Sequence, residues 1–223
     1  MADFHIYIGY RTVSSWSMRA WLPLKKSGAP FDGTLIRYRV PEQKQRLAEL
    51  SPTAKVPLLV HRRNGDEIKI WDSLAIGEYL AEFFPDRQFW PADPAARARA
   101  RSISAEMHSG FRPLRDHLSM ALLERRPGEG LHGEGAAADI ARIDAMWSEC
   151  RQTWGKKHGG PFLFGHFTIA DAMYLPVCTR FRTYMPHLSP VAMRYVDAML
   201  SDPDFLVWEE QAMRDPEPEP LTA

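Results

Sequence analysis

Cysteine is scarce in this chain. The two present among 223 residues, Cys150 and Cys178, are too few for a disulfide framework, and neither stands in a CxxC or other metal-ligand spacing. No sign of charge dominates, because 28 Lys and Arg balance 28 Asp and Glu. The basic surplus of a dedicated nucleic-acid binder is therefore missing. No apolar run approaches the roughly 18 residues that a membrane span requires. The opening MADFHIYIGY places Asp3 and His5 where a secretory signal has a basic start and a long apolar stretch. No internal repeat is visible. What is there is ordinary: 45% hydrophobic and 25% charged residues are enough to build a core and exclude disorder as the main state. The expectation is a soluble, cytoplasmic protein that acts on small molecules, without nucleic-acid, membrane or metal partners.

The first part of the chain alternates strand and helix patterns. FHIYIGY reads as a strand. SSWSMRAWLPLKKSG opens on serines suited to a helix N-cap and closes on Gly28, with Pro23 inside as a kink or early stop. FDGTLIRYRV reads as a second strand. VPLLVH and EIKIW flank Asn64-Gly65, a dipeptide that favours a tight hairpin because both residues tolerate positive φ. Ser73 then caps a helix over SLAIGEYLAEFF. The order is β-α-β, then ββ-α, over residues 1–84.

Residues 85–94 are rich in proline and read as a linker. From 95 to 210 the pattern is helical throughout. Ile103, Met107, Phe111, Leu114, Leu118 and Leu122 form one apolar stripe, read as a single helix bent at Pro113. After the glycine-rich PGEGLHGEG, a second stripe runs through Ile140, Ile143, Trp147, Cys150 and Trp154. Cys150 on that stripe is expected to be a buried core thiol. Thr168 and Asp171, three apart before an apolar run, form a capping-box pattern. Ser189-Pro190 starts another helix. Residues 211–223 are proline-rich and acidic and read as a disordered tail.

Four segments carry a resemblance. SSWSMR is similar to the Ser-Ser-Cys-x-x-Arg stretch of zeta-class glutathione transferases. SPTAKVPLL resembles the Asn-Pro-x-x-Lys-Val-Pro-x-Leu segment of that family. WDSLAIGEYLAE resembles its Glu/Gln-Ser-x-Ala-Ile-x-x-Tyr-Leu segment, and FTIADA its helical-domain capping motif. They stand in the family's order and span nearly the whole chain. The resemblance implies an α/β, thioredoxin-like N-terminal domain followed by an all-α helical domain, glutathione as co-substrate, and a homodimer.

The chemistry needed is a lowered thiol pKa. An ordinary thiol titrates near 8.5, and lowering that by about two units corresponds to about 2.7 kcal/mol of preferential thiolate binding. A hydroxyl donor beside the positive end of a helix suits that task. By the resemblance, Ser14 is the serine that activates the thiol, with Ser15 second and Ser17 as fallback. Bare residue type reads the same serines as helix caps. Other classes use an early tyrosine. Tyr7 lies within the strand and reads as packing, whereas Tyr10 is nearer the strand end. Trp16 stands where the zeta motif has cysteine, which puts a zeta-type isomerase activity in doubt. Val56 precedes Pro57, which the family holds cis, exposing the Val56 backbone to the cysteinyl part of glutathione. Lys55 is a candidate for a glutathione carboxylate. Ser73 can meet the γ-glutamyl carboxylate at a helix N-terminus, and Asp72 the γ-glutamyl ammonium. The second substrate is expected between the domains, against Trp16, His108 and Arg112, where His108, Arg112 and Arg115 read as a polar stripe.

Three functions compete on this reading: thiolate attack on an electrophile, glutathione-dependent cis–trans isomerisation, and a binding protein without turnover. The intact set of Ser14, Val56-Pro57 and Asp72-Ser73 favours an enzyme.

Overall fold

The computed structural model describes residues 3–218. Strand β1 (Phe4–Ile8) leads into α1 (Ser15–Ser27), β2 (Phe31–Leu35), α2 (Pro41–Leu50), β3 (Leu58–Arg63), β4 (Asp66–Trp71) and α3 (Ser73–Phe83). The sheet order is β2-β1-β3-β4. β1 pairs parallel with β2 and antiparallel with β3, and β3 and β4 form a hairpin. Asn64 and Gly65 take φ of 55° and 91° at its turn, as their tolerance of positive φ implies. α1 continues through Pro23 and ends at Gly28, whose φ of 76° makes it a left-handed C-cap.

α2 is an element beyond the expected β-α-β, ββ-α order. Leu47 is the one residue it buries fully, so its apolar stripe is too narrow to register as a helix in the pattern. It nevertheless covers one face of the sheet, where Leu47 joins Tyr7, Ile36, Leu58 and Val60 in a small core. The other face carries α1 and α3 and merges with the large core of the second half.

That second half comprises α4 (Pro94–Ser109), α5 (Arg112–His117), α6 (Ala136–Cys150), α7 (Ile169–Tyr184), α8 (Pro190–Leu200) and α9 (Pro203–Ala212). α7 is buried along nearly its whole length and packs on α1, α4 and α8. It is the axis that joins the halves. Its capping box is formed as expected: Asp171 Oδ2 accepts from the Thr168 backbone N–H at 2.8 Å and the Thr168 hydroxyl at 2.9 Å. Burial pushes the Cys150 thiol up to about 11 and the Cys178 thiol well above its ordinary value. Both belong to the core.

Two expectations are corrected. The stripe from Ile103 to Leu122 is not one bent helix: α4 stops at Ser109, and Phe111 turns to a φ of 56° before α5 begins. Continuation would drive the Pro113 ring into the Ser109 carbonyl. All six apolar residues are still buried, because the broken segments converge on the same core. The first residues of the expected disordered tail are ordered. α9 reaches Ala212, and Asp215 accepts from Arg11 Nη1 at 2.5 Å and the Arg11 backbone N–H at 3.3 Å. Residues 219–223 of the expected disordered tail lie outside the described residues.

Candidate active site

The turn after β1 brings three serines to the start of α1. Tyr10's carbonyl accepts from Val13 and Ser14 N–H at 3.2 and 2.8 Å, so the chain reverses and Ser14 becomes the N-cap. The Ser14 hydroxyl donates to Ser17 Oγ at 2.8 Å, and Ser17 Oγ accepts from Gly9 N–H at 2.9 Å. A Cβ at Gly9 would stand 3.2 Å from Ser14 Oγ and 3.1 Å from Val56 Cγ2. The strand end, the serine and the start of the β3 segment thus converge on one point. Tyr7 packs in the small core and Tyr10 is fully buried, its ring edge-on to Tyr38.

Two adjoining cavities open here and share Trp16, Lys55 and Val56. One, of about 810 Å³, is lined by Ser14, Ser15, Tyr38, Arg39 and Lys44 among others. The second, of about 660 Å³, adds Pro57, Asp72, Ser73 and His108. Most of the expected residues are therefore gathered in one groove, and the Val56–Pro57 bond is cis.

Asp72 holds an unusual backbone for a residue with a side chain, φ 74° and ψ 132°. Such conformations cost about 1–3 kcal/mol and cluster at functional sites. Its Oδ1 accepts from the Leu74 and Ala75 N–H groups at 2.8 and 3.3 Å, capping α3. Its Oδ2 meets His108 Nε2 at 2.6 Å, which ties the strand–helix junction to the end of α4. Next to it, the Ser73 hydroxyl is buried and has no hydrogen-bond partner among the described residues.

Trp16 forms the partition between the cavities. Its ring has His108 edge-on at 5.3 Å, and the guanidinium carbons of Arg19 and Arg115 lie 4.9 and 4.8 Å from its centre. Arg112 is not part of this wall. The break after α4 leaves its side chain 83% exposed, bonded to Asp116 at 2.5 Å. The i, i+4 spacing of His108 and Arg112 requires a helix that does not continue. Sequence reasoning singles out neither Arg39 nor Lys44; Arg19 is the arginine of the SSWSMR motif, to which it assigns no role. Among the described residues, no three His, Cys, Asp or Glu side chains are grouped to hold a metal ion.

Residues 13–82 match the glutathione S-transferase N-terminal domain, and residues 94–199 match the glutathione S-transferase C-terminal domain. The chain belongs to the glutathione S-transferase family. A probable maleylacetoacetate isomerase of Caenorhabditis elegans is 33% identical over 187 residues, 83% of this chain and 82% of that protein. The maleylacetoacetate isomerase of Mus musculus is 35% identical over 83% of this chain and 81% of its own. Among solved structures, a maleylacetoacetate isomerase from Anaeromyxobacter dehalogenans 2CP-1 with glutathione bound in its active site superposes with a TM-score of 0.69. It is 26% identical and covers 97% of this chain and 98% of its own. The fold is thus that of the family: a thioredoxin-like N-terminal domain with a mixed four-stranded sheet, then a helical domain.

Proposed function

We propose that this chain is a serine-type glutathione transferase: it binds glutathione in the groove between α1 and α3 and presents the thiolate to an electrophilic small molecule. The carrying observation is the buried, unpartnered hydroxyl of Ser73 at the N-terminus of α3. A buried hydroxyl left without a partner costs about 1–3 kcal/mol, and a ligand carboxylate at that helix end would satisfy it. On this reading Ser73 takes the γ-glutamyl carboxylate, Asp72 its ammonium, and the Val56 backbone beside Pro57 the cysteinyl unit. Lys55 lies within reach of a carboxylate. The sulfur then falls toward Ser14 and Ser15 at the positive end of α1. Trp16 and His108 form the wall for the second substrate. The reading includes a homodimer working in the cytoplasm.

Asp72 offers a test that separates binding from capping. Glycine relieves the positive φ and is nearly as good an N-cap, so Asp72→Gly is expected to melt at or above the wild-type temperature. Loss of a charge-assisted contact worth about 1.5–3 kcal/mol should weaken glutathione binding at least tenfold by calorimetry. Unchanged affinity would reduce Asp72 to a cap.

A second reading, cis–trans isomerisation, is favoured by the relatives, several of which are maleylacetoacetate isomerases. There the thiolate adds, a bond rotates and the thiolate leaves. Trp16 in place of the motif's cysteine makes transfer the first choice. Following glutathione and product together decides between them: transfer consumes one glutathione per product, and isomerisation leaves it unchanged.

A further inference from the structure

Three arginines meet behind Trp16. Arg19 on α1 is 1% exposed; its Nε donates to the Met173 carbonyl of α7 at 2.9 Å and its Nη1 to Ser15 Oγ at 3.3 Å. Its Nη2 has no hydrogen-bond partner among the described residues. Arg180 on α7 is also buried and donates to the carbonyls of Leu118 and Pro176 at 2.8 and 3.0 Å. Arg115 on α5 donates to the carbonyls of Gly110, at 3.1 Å, and Met107. Among the described residues, none of the three forms an ion pair with a carboxylate. Asp139 on α6 is near enough to favour the charge on Arg115, but its Oδ2 accepts from the Leu114 N–H at 2.9 Å. Tyr174, facing them from α7, is held neutral by burial, its pKa raised well above the ordinary value. His108 reaches Trp16 from α4 but is engaged with Asp72.

Burying a positive charge costs several kcal/mol unless a negative one accompanies it. Burial, and then repulsion from Arg180 and Arg115, press the Arg19 guanidinium well below its ordinary value. Burial and Arg115 press Arg180 down to about 10. Backbone carbonyls accept from several of the donors without neutralising the set, and Ser15, which lines the larger cavity, is where Arg19 reaches toward the groove.

We infer that Arg19 is a positioning residue for the glutathione thiolate: it occupies Ser15 Oγ as an acceptor, leaving the hydroxyl proton to donate to sulfur, and with Arg115 and Arg180 supplies the positive field that the thiolate neutralises. This rests on the reading that the groove activates glutathione. The thiol proton leaves to bulk buffer, and the arginines stay protonated throughout.

The test is a pH titration of thiolate absorbance on the full chain saturated with glutathione, with Arg19→Met, Arg19→Lys and Ser15→Ala beside the wild type. Arg19→Met and Ser15→Ala are expected to raise the bound thiol pKa by about one unit, lowering turnover at pH 7 about threefold through the smaller thiolate fraction. Turnover should recover at high pH, with glutathione affinity at pH 7 weakened by no more than the roughly threefold that the pKa shift itself imposes. Arg19→Lys, which keeps the charge, should fall between. A thiol pKa that stays at the wild-type value in Arg19→Met while melting temperature drops would overturn the inference and leave Arg19 as a strut between α1 and α7. If Arg19→Met does not fold, Ser15→Ala and Arg115→Met carry the same test, and an unmoved pKa in both overturns it. An unperturbed thiol in the wild type itself would remove the proposed function first, and this inference with it.

Discussion

Replacing Ser14 with alanine is expected to lower glutathione-dependent turnover at neutral pH by about ten- to a hundredfold while leaving the fold intact. The magnitude follows from the loss of one hydrogen bond to a charged acceptor, about 1.5–3 kcal/mol. In the structure the Ser14 proton is directed at Ser17 Oγ. Ser17 retains the Gly9 N–H as a donor when that proton swings to sulfur, so the switch strands no buried donor. Ser14 Oγ is also an N-cap acceptor, but only weakly, at 3.4 Å from Ser17 N–H. Its truncation should therefore destabilise by no more than about 1 kcal/mol. Turnover by steady-state kinetics and stability by thermal melting separate the two effects. A large fall in melting temperature with unchanged turnover per folded molecule would return Ser14 to the role of a cap.

The largest effect on stability is expected at Asp171. Its carboxylate is fully buried and receives four hydrogen bonds, from Leu163 N–H at 3.0 Å, Thr168 N–H at 2.8 Å, the Thr168 hydroxyl at 2.9 Å and the Tyr195 hydroxyl at 3.0 Å. Burial raises its pKa, and these bonds offset part of that rise. Asp171→Ala leaves four buried donors without an acceptor at the start of the helix that joins the two halves. A loss of about 3–5 kcal/mol is expected, or about 6–20 °C in melting temperature for a chain of this size. Thr168→Ala removes one hydroxyl and should cost about 1 kcal/mol. Equal, small effects of the two substitutions would contradict the assignment of Asp171 as the hub.

What the sequence reveals of this molecule is mainly what its local chemistry determines. Asn64-Gly65, Thr168-x-x-Asp171 and Ser189-Pro190 act within a few residues, and all three form as their chemistry dictates. Asp202-Pro203 is a signal of the same kind: Asp202 caps α9 and Pro203 occupies its first turn. α2 escapes because a helix that buries little leaves little periodicity. The helix read across Gly110 fails for the opposite reason, since periodicity reports a shared core and not an unbroken backbone. The proposed site residues Ser14, Ser15, Val56, Asp72 and Ser73 are legible because each stands in a short motif next to a strand end. The stack of Arg115 and Arg19 on Trp16 is not, because α5 reaches α1 only through packing of the whole helical half.

The most direct test of the central claim is the apparent pKa of the glutathione thiol in the complex, read by difference absorbance for wild type and Ser14→Ala. The account predicts a wild-type value well below that of free glutathione, and in Ser14→Ala a return toward the free value with glutathione still bound. A bound thiol that titrates like free glutathione in the wild type would contradict it.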